Sequence, residues 1–383
     1  MAGIYIHIPF CKQACHYCDF HFSTSMGKKE AMVAALQKEL KLRKEEFKDE
    51  EVETIYFGGG TPSVLSSEEI KGVIQSVYEN YQIGNSPEIT LEANPDDLVS
   101  VQVQSKTIFK AYLKAGINRL SIGIQSFFEE DLKLMNRAHN AQEAEECIRQ
   151  ATKHFDNISI DLIYGIPEMT NERWLQNIDK ALSFGIPHIS SYALTVEPKT
   201  ALASFVQKGI VKPVSDEVAQ EHFNILLDKM EAAGFESYEI SNFAKPGYFS
   251  KNNTAYWQQK KYMGVGPSAH SYDGEQRAWN INNNPKYIKC IEKNELPIER
   301  EKLSVTDKYN EYVMTGLRTV WGVSLNRIKN EFGEKYHEYI LQQADKYLEE
   351  QLLYFNDDVL MATKKGRFLA DGIAADLFML NLG

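Results

Sequence analysis

Long apolar runs are missing from this chain of 383 residues: none approaches the ~20 residues that a membrane-crossing helix needs. Excess positive charge is missing too. With 42 Lys and Arg against 53 Asp and Glu the formal net charge is −11, which argues against a nucleic-acid binder held by phosphate neutralisation. The opening residues, Met1 to Pro9, show neither a basic segment nor the apolar core of a signal peptide, so the expected location is the cytoplasm, with room only for peripheral membrane contact. Low-complexity tracts and solenoid repeats are absent. Cysteine is scarce, five residues in all, too few for a disulfide scaffold. Those five are unevenly placed, with Cys11, Cys15 and Cys18 inside eight residues and Cys147 and Cys290 far apart and alone.

What is present is ordinary globular usage, 43% hydrophobic and 25% charged, on a length that suits two or three domains. Strand and helix signals alternate through the first two hundred residues. Ile4, Ile6 and Ile8 alternate with Tyr5 and His7, and strand-like runs follow at 53–57, 88–92, 119–124, 158–164 and 188–194. Helical periodicity lies between them, at 28–48, 66–81, 103–115, 141–155 and 171–184. This βαβ spacing predicts a parallel sheet of six units, an open or partial barrel rather than a closed eight-fold one, with ligands at the carboxyl ends of the strands. A helix at 215–233 and a strand at 236–241 come next, followed by a loop-rich stretch at 242–284. Beyond residue 300 two helices, 306–320 and 335–351, precede a hairpin-like pair at 353–363 and a segment at 368–380, the pattern of a small winged-helix-like unit. The expected division is 1–235 for the core, 236–300 for a barrel extension and 301–383 for the C-terminal unit.

Cys11-Lys-Gln-Ala-Cys15-His-Tyr-Cys18 follows directly on the first strand. Three thiolates on one loop fit a zinc site with His7 or His16 as fourth ligand, or an iron–sulfur cluster that keeps one iron open for chemistry. No second cysteine pair exists to complete the commoner zinc pattern. The C-x₃-C-x₂-C spacing resembles the cluster motif of the radical S-adenosylmethionine (SAM) enzymes. That resemblance implies a 4Fe–4S cluster on Cys11, Cys15 and Cys18, with the amino and carboxylate groups of SAM on the fourth iron and an electron donor that drives SAM cleavage to a 5′-deoxyadenosyl radical.

Further motifs stand at successive strand ends. Gly58-Gly59-Gly60-Thr61-Pro62 offers backbone that a ligand can approach closely, with unhindered N–H groups. Glu92 closes the third strand, Gln125 the fourth, and Asp161 sits inside an apolar run where a carboxylate needs a partner. These segments resemble the branch of radical SAM proteins that holds the oxygen-independent coproporphyrinogen III oxidases and the HemW-type haem chaperones. The resemblance carries SAM contacts onto Tyr5, Tyr17, Gly59, Gly60, Thr61, Glu92, Gln125, Arg137, Asp161 and Ala193, with His270 a weaker match.

Two features separate these relatives. The oxidases resemble C-x₃-C-x₂-C-x-C with a long segment ahead of it, whereas Phe20 occupies the fourth cysteine position here and ten residues precede Cys11. The chaperones carry His-Asn-x-x-Tyr-Trp, linked in the family to haem binding. This chain reads Asn252-Asn253-Thr254-Ala255-Tyr256-Trp257, so Tyr256 and Trp257 match while Asn252 replaces the histidine. An amide is a poor iron ligand, which leaves His270 or His222 as substitutes. The reading is therefore a radical SAM protein that binds haem and passes it to haem-requiring acceptors. The alternatives are a tetrapyrrole-directed radical enzyme and, more remotely, a zinc-stabilised interaction protein. No general base or substrate-radical partner is identifiable, so no catalytic residue is assigned.

Overall fold

The computed structural model describes residues 2–99 and 105–380. Six strands, β1 (Ala2–Ile8), β2 (Glu51–Gly59), β3 (Gln82–Ala93), β4 (Arg119–Gln125), β5 (Ile158–Tyr164) and β6 (His188–Ala193), lie side by side in chain order, each parallel to the next. Helices Lys29–Leu42, Ser67–Asn80, Ser105–Ala115, Ala141–Ala151 and Asn171–Ser183 run between them. Residues 103 and 104 of the expected 103–115 helix lie outside the described residues. Helix starts follow their local chemistry: Ser66 and Asn140 form reciprocal capping boxes with Glu69 and Glu143.

The six-unit sheet does not close. β7 (Glu236–Ser237) and β8 (Asn242–Ala244) continue it past β6 in antiparallel fashion. On the other side β9 (Lys261–Val265) pairs parallel with β1, and β10 (His270–Tyr272), β11 (Gln276–Asn280) and β12 (Ile298–Lys302) extend it outward. The stretch 242–284 is thus strand and helix rather than the expected loop, and the strand expected at 236–241 shrinks to two residues. These short edge strands owe their geometry to ladder partners distant in sequence, which outweighs their weak local propensity.

Alternation along the strands sorts side chains into two rows. Ile4, Ile6 and Ile8, with Leu120, Ile122 and Ile124, pack into the main core. The intervening row is polar: Tyr5, Tyr56, Glu92, Arg119, Ser121 and Asp161 line a cavity of about 230 Å³ inside the open barrel. Its floor is the helix Lys251–Trp257, through Asn252, Asn253 and Tyr256.

A buried ion pair ties the extension to the barrel. Glu39, on the helix after β1, bonds Arg43 at 2.9 Å, accepts the Gly266 N–H (2.9 Å) and the Asn280 amide (2.8 Å), and takes the Tyr287 hydroxyl. Arg43 donates in turn to the Gly264 carbonyl at 2.7 Å. Beyond residue 303 a second core gathers Tyr309, Val313, Leu317, Ile340, Leu353 and Leu360. It joins helices Val305–Leu317 and Glu334–Glu349 to a three-stranded sheet of Val323–Ser324, Leu353–Asn356 and Val359–Ala362, in keeping with the winged-helix-like expectation. Among the described residues no helix is long and apolar enough to cross a membrane.

Candidate cofactor site

The loop that leaves β1 is fixed from several sides. Cys11 N–H donates to the Ser23 carbonyl (3.1 Å) and Ser23 N–H to that of Pro9 (3.0 Å). His16 N–H reaches the Met135 carbonyl at 3.0 Å, and the His16 carbonyl takes Leu202 N–H at 2.8 Å. The three thiols stand half-buried on this loop. Thr61 donates its hydroxyl to Cys11 Sγ at 3.3 Å, and Arg137 Nη1 donates to Cys15 Sγ at 3.4 Å. Arg137 Nη2 also holds Asn94 Oδ1 (2.7 Å) and the Gly123 carbonyl (2.9 Å). Tyr17 lies beside the same guanidinium. One side chain thus joins the cysteine loop to the ends of β3 and β4.

Burial pushes the Cys11 thiol up to about 11, against the Thr61 hydrogen bond and with help from the neighbouring Cys18 and Cys15. Cys18 is raised for the same first reason. A metal centre would displace these protons, since thiolate is the ligating form. Among the described residues no three His, Cys, Asp or Glu side chains are grouped as a single ion would require. His7 has both ring nitrogens engaged, with Tyr5 Oη at 3.2 Å and the His21 carbonyl at 3.0 Å, and His16 Nδ1 is held by the Leu134 carbonyl at 2.8 Å. The donor set that remains is three sulfurs. It fits a cluster that spreads three ligands over three irons and leaves a fourth open better than it fits a closed four-ligand zinc site. Around it Gln125 Oε1 and Arg137 Nε are buried without partners among the described residues, as a bound polar ligand would explain.

The glycine segment differs from expectation. Gly59 has φ +108° and a Cβ there would stand 2.4 Å from the His7 ring; at Gly60 it would lie 2.7 Å from the Phe10 carbonyl oxygen. These glycines let two segments of the protein approach each other. Their N–H groups are also occupied: Gly60 donates to the Ile8 carbonyl at 2.9 Å, Thr61 to Phe10 at 2.7 Å, and Gly59 to Glu92. What the segment keeps for a ligand is carbonyl oxygen, suited to an ammonium rather than an anion.

Below this level lie the two interior carboxyls. Burial raises Glu92 to about 7, opposed by the Tyr56 hydroxyl at 2.7 Å. Asp161 is raised to about 6 for the same reason, opposed by Ser190 and by Ser121 at 3.4 Å. Tyr5 lines the same cavity. Gln125, at φ +67°, and Ala193 stand at the ends of β4 and β6. The structure therefore brings together every expected SAM contact except His270, which is exposed on β10 with its ring 6.2 Å from that of Trp279.

It also brings in residues expected elsewhere. Asn252 is 3% exposed, accepts from Thr54 Oγ1 at 3.3 Å and donates its N–H to Glu88 at 3.2 Å. Tyr256 lines the cavity, and the Trp257 ring lies under the Arg318 guanidinium of the C-terminal unit at 5.2 Å. Sequence reasoning passed over Tyr56, Arg119, Ser121 and Ser190. Their signal was the period-two polar row that they share with Tyr5 and Asp161.

The three-thiol loop and the strand-end residues thus meet at one end of the open barrel, above its interior cavity. The chain matches the family model described as Radical SAM superfamily over residues 5–181, and the HemN C-terminal domain over residues 303–369. It is 34% identical over 378 residues to Heme chaperone HemW of Bacillus subtilis strain 168, covering 97% of this chain and 98% of that one. Heme chaperone HemW of Lactococcus lactis subsp. lactis is 31% identical over 371 residues, with 96% and 95% covered. Among solved structures, coproporphyrinogen III oxidase (HemN) from Escherichia coli superposes with a TM-score of 0.84 at 21% identity, over 99% of this chain and 90% of that one, a likeness of fold. The chain belongs to the radical SAM superfamily and, within it, to the HemW family.

Proposed function

We propose that Cys11, Cys15 and Cys18 hold a 4Fe–4S cluster, that SAM lies between it and the cavity, and that the protein is a haem chaperone delivering haem to haem-requiring acceptor proteins. The observation that supports the cofactor reading is the convergence of three thiols, Thr61 and Arg137 above a cavity lined by Tyr5, Glu92 and Asp161. When bound, the cluster would supply the electron for SAM cleavage and would draw on an electron-donor partner. In this arrangement Arg137 orients Cys15, the glycine-segment carbonyls accept the SAM ammonium, and Glu92 and Asp161 accept from ribose hydroxyls. Haem delivery is supported by the names of the HemW relatives and by the absence of the oxidase's fourth cysteine at Phe20.

The haem contact, on this reading, is not residue 252. Asn252 is buried against Thr54 and Glu88 at the barrel floor, where a planar macrocycle has no approach, and Asn252, Tyr256 and Trp257 serve as floor and as joint to the C-terminal unit. His222 is fully buried, with Nδ1 accepting the Gly165 N–H at 3.2 Å. His270 is exposed on one side, and the partial desolvation of its ring together with Arg277 lowers its affinity for a proton, so a neutral imidazole is on offer as an iron ligand.

Haem titration of the anaerobically reconstituted protein tests this. His270→Ala is expected to weaken binding about tenfold, ~1.4 kcal/mol, and to change the haem absorption spectrum, while Asn252→His leaves both unchanged. Tighter binding by Asn252→His would return the ligand to position 252. Incubation of the reduced protein with SAM and coproporphyrinogen III is expected to yield no protoporphyrinogen; its formation would replace the chaperone with the oxidase.

A further inference from the structure

The interior of the open barrel carries an uneven set of charges. Glu92 faces the cavity from β3 and Asp161 from β5, with Glu88 buried further back on β3, while among the cavity-lining residues described Arg119 is the cation. Arg119 is 2% exposed. Its nearest carboxylate oxygen, Glu88 Oε2, is 3.9 Å from Nε, beyond hydrogen-bond reach, and Nε has no acceptor among the described residues. Glu88 is occupied instead with capping the floor helix, through Ser250 Oγ at 3.5 Å and the N–H groups of Lys251 and Asn252 at 3.2 Å.

A buried guanidinium whose ion-pair partner Glu88 stands at 3.9 Å, with Nε left without a hydrogen bond, is a costly choice for mere packing. Its field reaches Glu92, Asp161 and Tyr56, all of which feel it. The other titratable groups facing the cavity add no positive charge. Burial keeps the phenols of Tyr5, Tyr56 and Tyr256 protonated, together with Tyr192, whose hydroxyl bonds Ser190. His188, at the start of β6, is held neutral by burial and by Arg119 itself. Arg137 is engaged at the cysteine loop and the strand ends, with Cys15, Asn94 and Gly123.

We propose that Arg119 is a positioning residue for SAM: a buried counter-charge, in direct contact with neither Glu92 nor Asp161, that biases both toward the ionised form, so that they present acceptor oxygens to the ribose hydroxyls of the ligand. The proposal rests on the reading of Glu92 and Asp161 as SAM contacts. Direct pairing of Arg119 with either carboxylate would consume the acceptor oxygens; standing apart, it stabilises the charge and leaves the lone pairs free. Burial works the other way, so the cavity holds two carboxyls close to their titration point, and removal of Arg119 leaves both favouring the proton.

SAM dissociation constants of the cluster-loaded protein, measured across neutral pH for wild type, Arg119→Met and Arg119→Lys, test this. Wild type is expected to lose affinity below a midpoint of about 7, where Glu92 takes up its proton. In Arg119→Met that midpoint is expected to move to higher pH, with affinities converging at alkaline pH, and Arg119→Lys to restore the wild-type profile. A fall in affinity that is uniform in pH, or an unchanged profile, overturns the proposal. Should Arg119→Met fail to fold, infrared titration of wild type decides. The protonated-carboxyl band is expected to vanish on SAM binding at neutral pH, and its persistence overturns the proposal. Glu92→Gln and Asp161→Asn that bind SAM as wild type does would instead sink the SAM-contact reading, with the role of Arg119 failing for that reason alone.

Discussion

Replacing Cys15 by alanine is expected to abolish cluster incorporation: iron content and absorbance near about 400 nm fall to background after anaerobic reconstitution, and SAM binding is lost with them. Cys15 is the thiol to which Arg137 donates at 3.4 Å, so the substitution removes one of the three proposed cluster ligands and leaves a buried guanidinium nitrogen without its acceptor. Two thiols cannot hold what three were placed to hold, and the fixed loop offers no substitute, since His7 is engaged at both ring nitrogens. Cys147→Ala is the control. Its thiol is fully buried on the helix Ala141–Ala151, and its loss should leave iron content unchanged. Stoichiometric zinc in the wild-type protein, with no iron, would show that the donor set has been misread.

Glu39→Ala is expected to lower stability by about 3–5 kcal/mol, the range for removing one partner of a buried ion pair, read as a drop in the urea midpoint of the cofactor-free protein. The side chain is fully buried and satisfies Arg43, Gly266 N–H, Asn280 and Tyr287 together. Its removal leaves Arg43 with Glu46 as its remaining carboxylate, at 2.9 Å, and deprives Gly266 N–H, Asn280 and Tyr287 of their shared acceptor at the seam between β1 and the β9–β12 extension. Replacing Glu39 and Arg43 together by methionine should recover part of the loss, because the buried guanidinium goes too while Glu46 retains Arg300. A midpoint for Glu39→Ala equal to that of wild type would refute the account.

Much of this was legible in the sequence. The alternation of Ile4, Ile6 and Ile8 with Tyr5 and His7 gave β1 its two faces, and Asp161 was conspicuous as a carboxylate inside an apolar run. The spacing of the cysteines needed only the loop to be right. The failures share one cause, that the deciding partners are distant in sequence. β9 is short and weak by itself and exists because Ala2–Ile6 supplies its ladder. Arg119 reads as a strand start until the cavity that it faces is closed by a helix some 130 residues later. Asn252 stands at the histidine position of a motif, but the burial of that position is set by Glu88 and Thr54. The glycines after β2 suggest space for a ligand, whereas the space is filled by His7 and Phe10.

The anchoring of the cysteine loop has a consequence in time. The thiols leave the ribosome well before the residues that fix them, Met135, Arg137 and Leu202, and the strand before them is paired on one side by residues 261–265. At about 5–20 residues per second, roughly 6 to 50 seconds of synthesis separate Cys18 from those partners. The cysteine loop is thus made before it can be organised, and on the proposed reading cluster delivery to the newborn chain belongs after residues 261–265 have emerged.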